Sequence, residues 1–198
     1  PQLTELSSYY KDVYTLLSSQ AEKLTNQNCY RKEKLDVDAV LAKAVRHFNK
    51  LANKKGLDTQ LVLAEPCTSE MSLHADAILI EELFVRFNTT FVEWYADRCF
   101  APAYADNTVY ASGANTTEAS PSLQVVPVQS ILRFCYHLPG IVMDEAQTHT
   151  LFYPESRHIN LLIAKQIIRE MDALHNFPGL RLMAEPGDGN INMWCTLK

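Results

Sequence analysis

The sequence predicts an α+β protein, a two-layer sandwich in which helices cover one face of an antiparallel-rich sheet. Segment 78–95 contains no Gly or Pro and repeats apolar residues every four positions, as a helix with a broad buried face does. Two pairs of strand candidates, 123–128 with 131–137 and 180–184 with 191–197, are each joined by a turn. Strands joined in this way form hairpins, and hairpins make a sheet antiparallel.

The predicted helix at 78–95 is the element around which we expect the other elements to pack. Its apolar stripe consists of Leu79, Leu83, Phe87 and Phe91, widened by Ile80, Phe84 and Val92. Its other side carries polar residues, namely Arg86, Thr90, Glu93 and Asp97. We expect that polar side to face a functional site, since it is not needed for the core.

The remaining elements follow from caps, breakers and apolar spacing. In chain order they are a polar connector at 28–35, a helix capped by Asp36 and ended by Gly56, a strand at 57–64, a loop at 65–70, a long loop at 99–123 with a short strand near 108–111, a short helix at 144–152 and a helix at 160–174.

The first residues form a separate predicted unit. Segment 3–27 places apolar residues at alternating three- and four-residue steps, which predicts an amphipathic helix with a coiled-coil-like seam. Such a seam needs a partner, which is another helix, a second subunit or the domain behind it. We expect a homodimer through residues 3–27, and we divide the chain into 1–34 and 35–198.

The bulk composition excludes several classes of function. The formal net charge is −5, whereas general nucleic-acid binding usually needs a basic surface. No apolar run approaches 18 residues, so we expect no membrane insertion by this chain. The five cysteines are scattered and never spaced as CxxC, a pattern that disfavours a zinc site and fits a reduced cytoplasmic setting.

Four stretches occur in an order and spacing that are typical of one family. They read HADAILIEELFVRFNTTFVEWY, LPGIVMDEAQTHTLF, NLLIAKQIIREM and GDGNINMWCTL. Over residues 35–198 the chain thereby resembles the catalytic ATP-binding domain of bacterial sensor histidine kinases. The resemblance implies the histidine-kinase-like ATPase fold, preceded by a dimerisation-type helix. It also implies two-component signalling in the cytoplasm, either as a free protein or as the cytoplasmic part of a membrane receptor.

The positions that match the family's nucleotide site are mostly substituted. Two asparagines that chelate Mg²⁺ in the family correspond to Arg86 and Thr90, and a guanidinium offers the metal no lone pair. Glycine-rich boxes and an adenine-binding Asp correspond to Tyr136, Leu138, Gly140, His158 and Asn160, of which only Gly140 keeps the family residue. The flexible lid is reduced to a few residues at 153–157. The family's phosphoacceptor is a His followed by Asp or Glu, and none of the six histidines here is followed by either.

Three functions are compatible with these substitutions. The first is a degenerate signalling domain that needs no ATP or Mg²⁺ and acts through protein contacts, with a response regulator as a possible partner. The second is an active but divergent ATP-dependent kinase, and the third is a small-molecule sensor that reuses the empty pocket. Arg86 is either a replacement anion-binding residue or a solvated arginine. We expect Arg86 and Thr90 to face the site, so that replacing both with Asn leaves the fold stable.

Overall fold

The structure is a computed structural model, and it describes residues 31–64, 73–100, 120–156, 158–175 and 181–198. Residues Lys32–Lys198 form one compact unit. The predicted helix at 3–27, the dimer through it and the short strand near 108–111 lie outside the described residues and stay predictions. The division of the chain into 1–34 and 35–198 also stays a prediction.

Four α-helices and seven strands make up the described part of the chain. The helices are α1 (Val37–Lys54), α2 (Ala77–Phe100), α3 (Glu145–Thr150) and α4 (Ile159–His175), with a short 3-10 helix at Pro154–Ser156. The strands are β1 (Glu33–Leu35), β2 (Val62–Leu63), β3 (Leu73–Ala75), β4 (Ser122–Val128), β5 (Ile131–Pro139), β6 (Leu182–Gly187) and β7 (Asn190–Leu197).

The main sheet has five strands in the order β2-β4-β5-β7-β6. Strands β4, β5, β7 and β6 pair antiparallel, whereas β2 pairs parallel with β4. Alternate residues of the three central strands point to one face and are buried there, because side chains on a strand alternate between its two faces. The buried set is Leu123, Val125, Leu132, Phe134, Tyr136, Leu138, Ile191, Met193, Cys195 and Leu197.

Helices α1, α2 and α4 form the second layer over that buried face. Helix α2 lies between the other two, since it packs against α1 on one side and α4 on the other. Its Phe84, Phe87 and Phe91 rings contact the Tyr136 ring of β5, with centroid separations from 4.8 to 6.4 Å. This two-layer α+β sandwich is the architecture that the sequence predicts.

Local caps explain where two of the helices begin. The Asp36 side chain accepts bonds from the backbone N–H groups of Asp38 and Ala39 at the start of α1. Asp144 and Gln147 form a reciprocal capping box at the start of α3, which satisfies two donors that a helix start otherwise leaves free. Gly56 follows α1 with a φ of +70°, a conformation that favours glycine at a helix end.

Several predicted boundaries are wrong. The strand expected at 57–64 is reduced to β2, the residues 33–35 counted in a connector form β1, and β1 pairs with β3 in a separate two-stranded sheet. Helix α2 runs on to Phe100, past the predicted end. The turn expected at 185–190 is only Asp188–Gly189, because β6 extends to Gly187. Within the described ranges, no helix is long and apolar enough to cross a membrane.

Candidate functional site

The candidate site is the side of α2 that faces α4. Arg86, Thr90, Trp94 and Arg98 follow one another at four-residue intervals on α2, so they lie along one face of the helix. The first two are the positions that the sequence resemblance aligns with the family's Mg²⁺-binding asparagines. Arg86, Trp94 and Arg98 carry side chains that meet residues of α4, of the segment before it, and of the end of β5.

Arg86 is held by two partners. Its Nε donates to Glu82 Oε1 at 2.8 Å, and Nη2 also bonds that same oxygen. Its Nη1 donates to Asn160 Oδ1 on α4 at 3.0 Å. The Arg86 and Glu82 side chains are only 16% and 26% exposed. Because the carboxylate already neutralises the guanidinium, an incoming anion has to compete with Glu82 for Arg86.

Thr90 lies one turn further along the helix and is 2% exposed. Its Oγ1 is buried and has no hydrogen-bond partner among the described residues. The expectation that Thr90 faces an accessible site is therefore wrong, since the residue lies in the packed interior. Replacing it with the larger Asn is no longer expected to leave the fold stable.

His158 packs against the next turn of α2. Its ring lies edge-on to Trp94, with centroids 5.4 Å apart. Burial lowers the pKa of His158 below its usual value, and the carboxylate of Asp97 only partly opposes that effect. A neutral imidazole here contributes packing and no positive charge toward a phosphate.

Gly140 lies against Arg98, the last of the four residues on this face of α2. Its φ is +75°, and an added Cβ would lie 1.9 Å from Nη1 of Arg98. The guanidinium of Arg98 therefore occupies the space that the absence of a side chain leaves open. Tyr95 O–H also donates to the carbonyl of Pro139 at 3.1 Å, so the last turns of α2 are anchored on the end of β5.

Tyr136 and Leu138 lie in the core beneath the helices. They are 1% and 0% exposed, and burial raises the pKa of the Tyr136 hydroxyl well above its usual value. That hydroxyl donates to Asn88 Oδ1 at 3.0 Å. Tyr136 is the residue that the sequence resemblance aligns with the family's adenine-binding Asp, and its polar atom is directed to a residue inside the protein.

The short segment that the resemblance aligns with the family's lid is held in position by several hydrogen bonds. Ser156 Oγ lies 2.8 Å from the carbonyl oxygens of both Leu151 and Tyr153, so its single proton is shared between these two acceptors. Lys165 of α4 donates to the carbonyl of Phe152, and its ammonium lies 4.2 Å from the centre of the Tyr153 ring. These contacts tie the segment to α4.

Two described cysteines carry free thiols, Cys135 and Cys195. Burial raises the pKa of both thiols above the usual value. Both are therefore protonated at neutral pH, and neither provides a thiolate nucleophile.

Solved structures of histidine kinases share the fold of this chain. The catalytic domain of histidine kinase ThkA matches with a TM-score of 0.57 at 12% identity, over 84% of this chain and 96% of that chain. Histidine kinase AdeS of Acinetobacter baumannii matches with a TM-score of 0.55 at 14% identity, over 93% and 79%. The chain has the fold of a histidine-kinase catalytic domain.

Two longer histidine-kinase structures also match, and this chain covers less than half of each. Full-length ShkA in complex with AMPPNP matches with a TM-score of 0.57 at 13% identity, over 84% of this chain, which spans 30% of the length of ShkA. ThkA in complex with the response regulator TrrA matches with a TM-score of 0.57 at 12% identity, over 95% and 48%. No protein-family model and no curated protein matches the sequence.

Within the histidine-kinase fold, the seven predicted site residues divide into two groups. Arg86 and Asn160 contact each other, and His158 and Gly140 contact later turns of the same α2 face. Thr90, Tyr136 and Leu138 are buried in the interior. Sequence reasoning missed Glu82, Trp94 and Arg98 as residues that occupy this face. The four-residue spacing from Glu82 to Arg86 is a signal that predicts their ion pair.

Proposed function

We propose that this chain is a degenerate catalytic-type domain of a two-component signalling protein in the cytoplasm. It keeps the histidine-kinase fold, does not bind Mg·ATP at cellular concentrations, and acts by protein–protein contact. The observation that carries the proposal is the filled face of α2. Where the family receives metal and phosphates, Arg86 meets Glu82 and Asn160, and Arg98 lies against Gly140.

The donor set at the expected metal position does not fit magnesium. Mg²⁺ takes oxygen ligands in octahedral geometry. Arg86 has no acceptor, and the Thr90 hydroxyl is a single oxygen inside the packed interior. No group of three His, Cys, Asp or Glu side chains that could hold a metal ion occurs within the described ranges. A triphosphate would therefore meet little compensation for its charge.

A response regulator is the partner class that this proposal favours. ThkA, which shares the fold, has been crystallised in complex with the response regulator TrrA. The second candidate is an active, divergent kinase, and it is favoured by ShkA, which also shares the fold and is in complex with AMPPNP.

Calorimetric titration separates the two candidates. The full chain is titrated with ATP and ADP, each with and without Mg²⁺. We expect no binding tighter than about 1 mM, because each loss of roughly 1.4 kcal/mol in binding free energy weakens affinity tenfold and several contacts are replaced. A dissociation constant below about 100 μM would promote the divergent-kinase candidate.

The same titration also tests whether Glu82 prevents Arg86 from binding phosphate. If Glu82 is what keeps Arg86 from phosphate, Glu82→Gln tightens metal-free ATP binding relative to the wild type. The matched control is Glu81→Gln, an exposed carboxylate at the preceding position that pairs with Lys43. Equal affinities of the two variants would show that Glu82 does not block the guanidinium.

A further inference from the structure

A cavity of about 180 Å³ lies between α1 and α2, on the side of α2 away from α4. Most of its wall is apolar and comes from Leu35, Ala39, Val40, Ala44, Ala77, Ile80, Phe84 and Val85. A cavity of about 150 Å³ with aliphatic and aromatic walls holds a benzene molecule in another protein. A single ring with a small substituent therefore fits the volume here.

His47 is a polar group of the wall whose orientation is set by a buried neighbour, Asn88. Its Nδ1 lies 3.3 Å from Asn88 Nδ2, and that Asn88 amide nitrogen also donates to the Ala44 carbonyl at 2.8 Å. Asn88 Oδ1 accepts the Tyr136 O–H. The Ala44 carbonyl can only accept a hydrogen bond, so it must face the amide nitrogen of Asn88 and not the amide oxygen. The Asn88 amide therefore cannot be reversed.

This chain of bonds sets the tautomer of His47. Asn88 Nδ2 carries two hydrogens and accepts none. One hydrogen is donated to the Ala44 carbonyl, so the other is donated to the lone pair of His47 Nδ1. The proton of the neutral imidazole is then on Nε2. Burial also lowers the pKa of His47, with Lys50 acting in the same direction and Glu81 opposing it. The ring in the cavity wall therefore has one N–H to donate.

The charged groups near the cavity are already paired. The Asp36 carboxylate accepts the first N–H groups of α1. Lys43 and Glu81 form an ion pair of 3.7 Å across the two helices, and both side chains are 64% exposed. No charged group of the cavity wall lacks a partner, so an ionised ligand would lose hydration without gaining a counter-charge.

We propose that the cavity between α1 and α2 binds a small uncharged molecule, about one ring in size, that carries a single hydrogen-bond acceptor such as a carbonyl oxygen. His47 Nε2–H donates to that acceptor, and the apolar wall covers the rest of the molecule. This site lies apart from the filled face of α2, and the proposal does not depend on whether the domain binds nucleotide.

Three ring compounds of similar size test the chemistry. Acetophenone has the neutral acceptor, ethylbenzene lacks it, and benzoate is charged. The full chain labelled with ¹⁵N is titrated with each, and backbone amide shifts are followed. We expect acetophenone to shift Ala44, His47, Ile80 and Phe84 and to bind about two- to tenfold tighter than ethylbenzene, as expected for one added hydrogen bond. Benzoate is expected to bind more weakly than either.

Two pairs of variants locate the site. Ala39→Phe fills the cavity from an exposed position on α1, and Ala146→Phe on α3 is its matched control. His47→Leu removes the donor, and His149→Leu, which is exposed on α3, is the control. We expect Ala39→Phe to abolish acetophenone binding, His47→Leu to reduce its affinity to that of ethylbenzene, and both controls to bind normally.

Each alternative result overturns a defined part of the proposal. Acetophenone shifts that persist in Ala39→Phe would place the site elsewhere. Equal affinities for acetophenone and ethylbenzene would remove the role of His47. Absence of shifts at Ala44, His47, Ile80 and Phe84 with all three compounds at millimolar concentration would overturn the cavity as a ligand site.

Discussion

Asn88 is the residue that connects the helix layer with the sheet. It is 0% exposed, and its amide makes bonds to the backbone of α1, to His47 and to Tyr136 on β5. It lies two residues from both Arg86 and Thr90 in α2, so its side chain leaves the helix on a different face. Its bonds could not be predicted, because its three partners are all remote in sequence.

Tyr136→Phe measures the worth of this connection. The substitution keeps the buried ring but leaves Asn88 Oδ1 without its donor, which costs about 1–3 kcal/mol when the acceptor is buried. Urea denaturation should show that loss in the free energy of unfolding. Tyr153→Phe is the matched control, since Tyr153 is 52% exposed and a surface change usually stays within about 0.5 kcal/mol. Equal values for the two variants would show that the bond adds no stability.

At the scale of elements, sequence patterns predicted α1, α2, α3, α4 and both hairpins because each has caps, turns or a long apolar repeat. They did not predict β1, β3 or the parallel pairing of β2. These strands have only two or three residues, which is too short for a period to show. The filled face of α2 was also missed, because the approach of α4 is a tertiary contact that local pattern does not contain.

Thr90 tests how tightly α2 and α4 pack. Thr90→Val removes a buried hydroxyl without a partner among the described residues and keeps the shape, so we expect the free energy of unfolding to rise by up to about 1–3 kcal/mol. Thr90→Asn enlarges a buried side chain and should lower it by about 1–3 kcal/mol. Chemical denaturation of both variants decides this. A loss of stability in Thr90→Val would mean that the hydroxyl has a partner, such as a bound water.

For the whole molecule, two half-buried histidines, His47 and His158, make stability depend on pH. Burial lowers the pKa of His47 and of His158 in the folded protein. Below the unfolded value of about 6.5, the unfolded chain therefore binds more protons than the folded one. Stability then falls as the pH decreases and is fully retained above the unfolded pKa.

We expect the free energy of unfolding to be lower at pH 5.5 than at pH 7.5, by at most about 1.4 kcal/mol per pH unit for each histidine. His47→Gln and His158→Gln should each reduce this difference. His149→Gln, at an exposed position on α3, serves as the control. If all three variants keep the wild-type pH difference, other groups are responsible for it.

The place of β7 has a consequence for how the molecule folds. This strand lies between β5 and β6, and its residues 190–197 pair with residues 131–139. The two hairpins can form early because their strands are adjacent in sequence, whereas joining β5 to β7 closes a long loop. Loop closure of this kind raises contact order and slows folding. We therefore expect the joining of β5 to β7 to be slower than the formation of either hairpin.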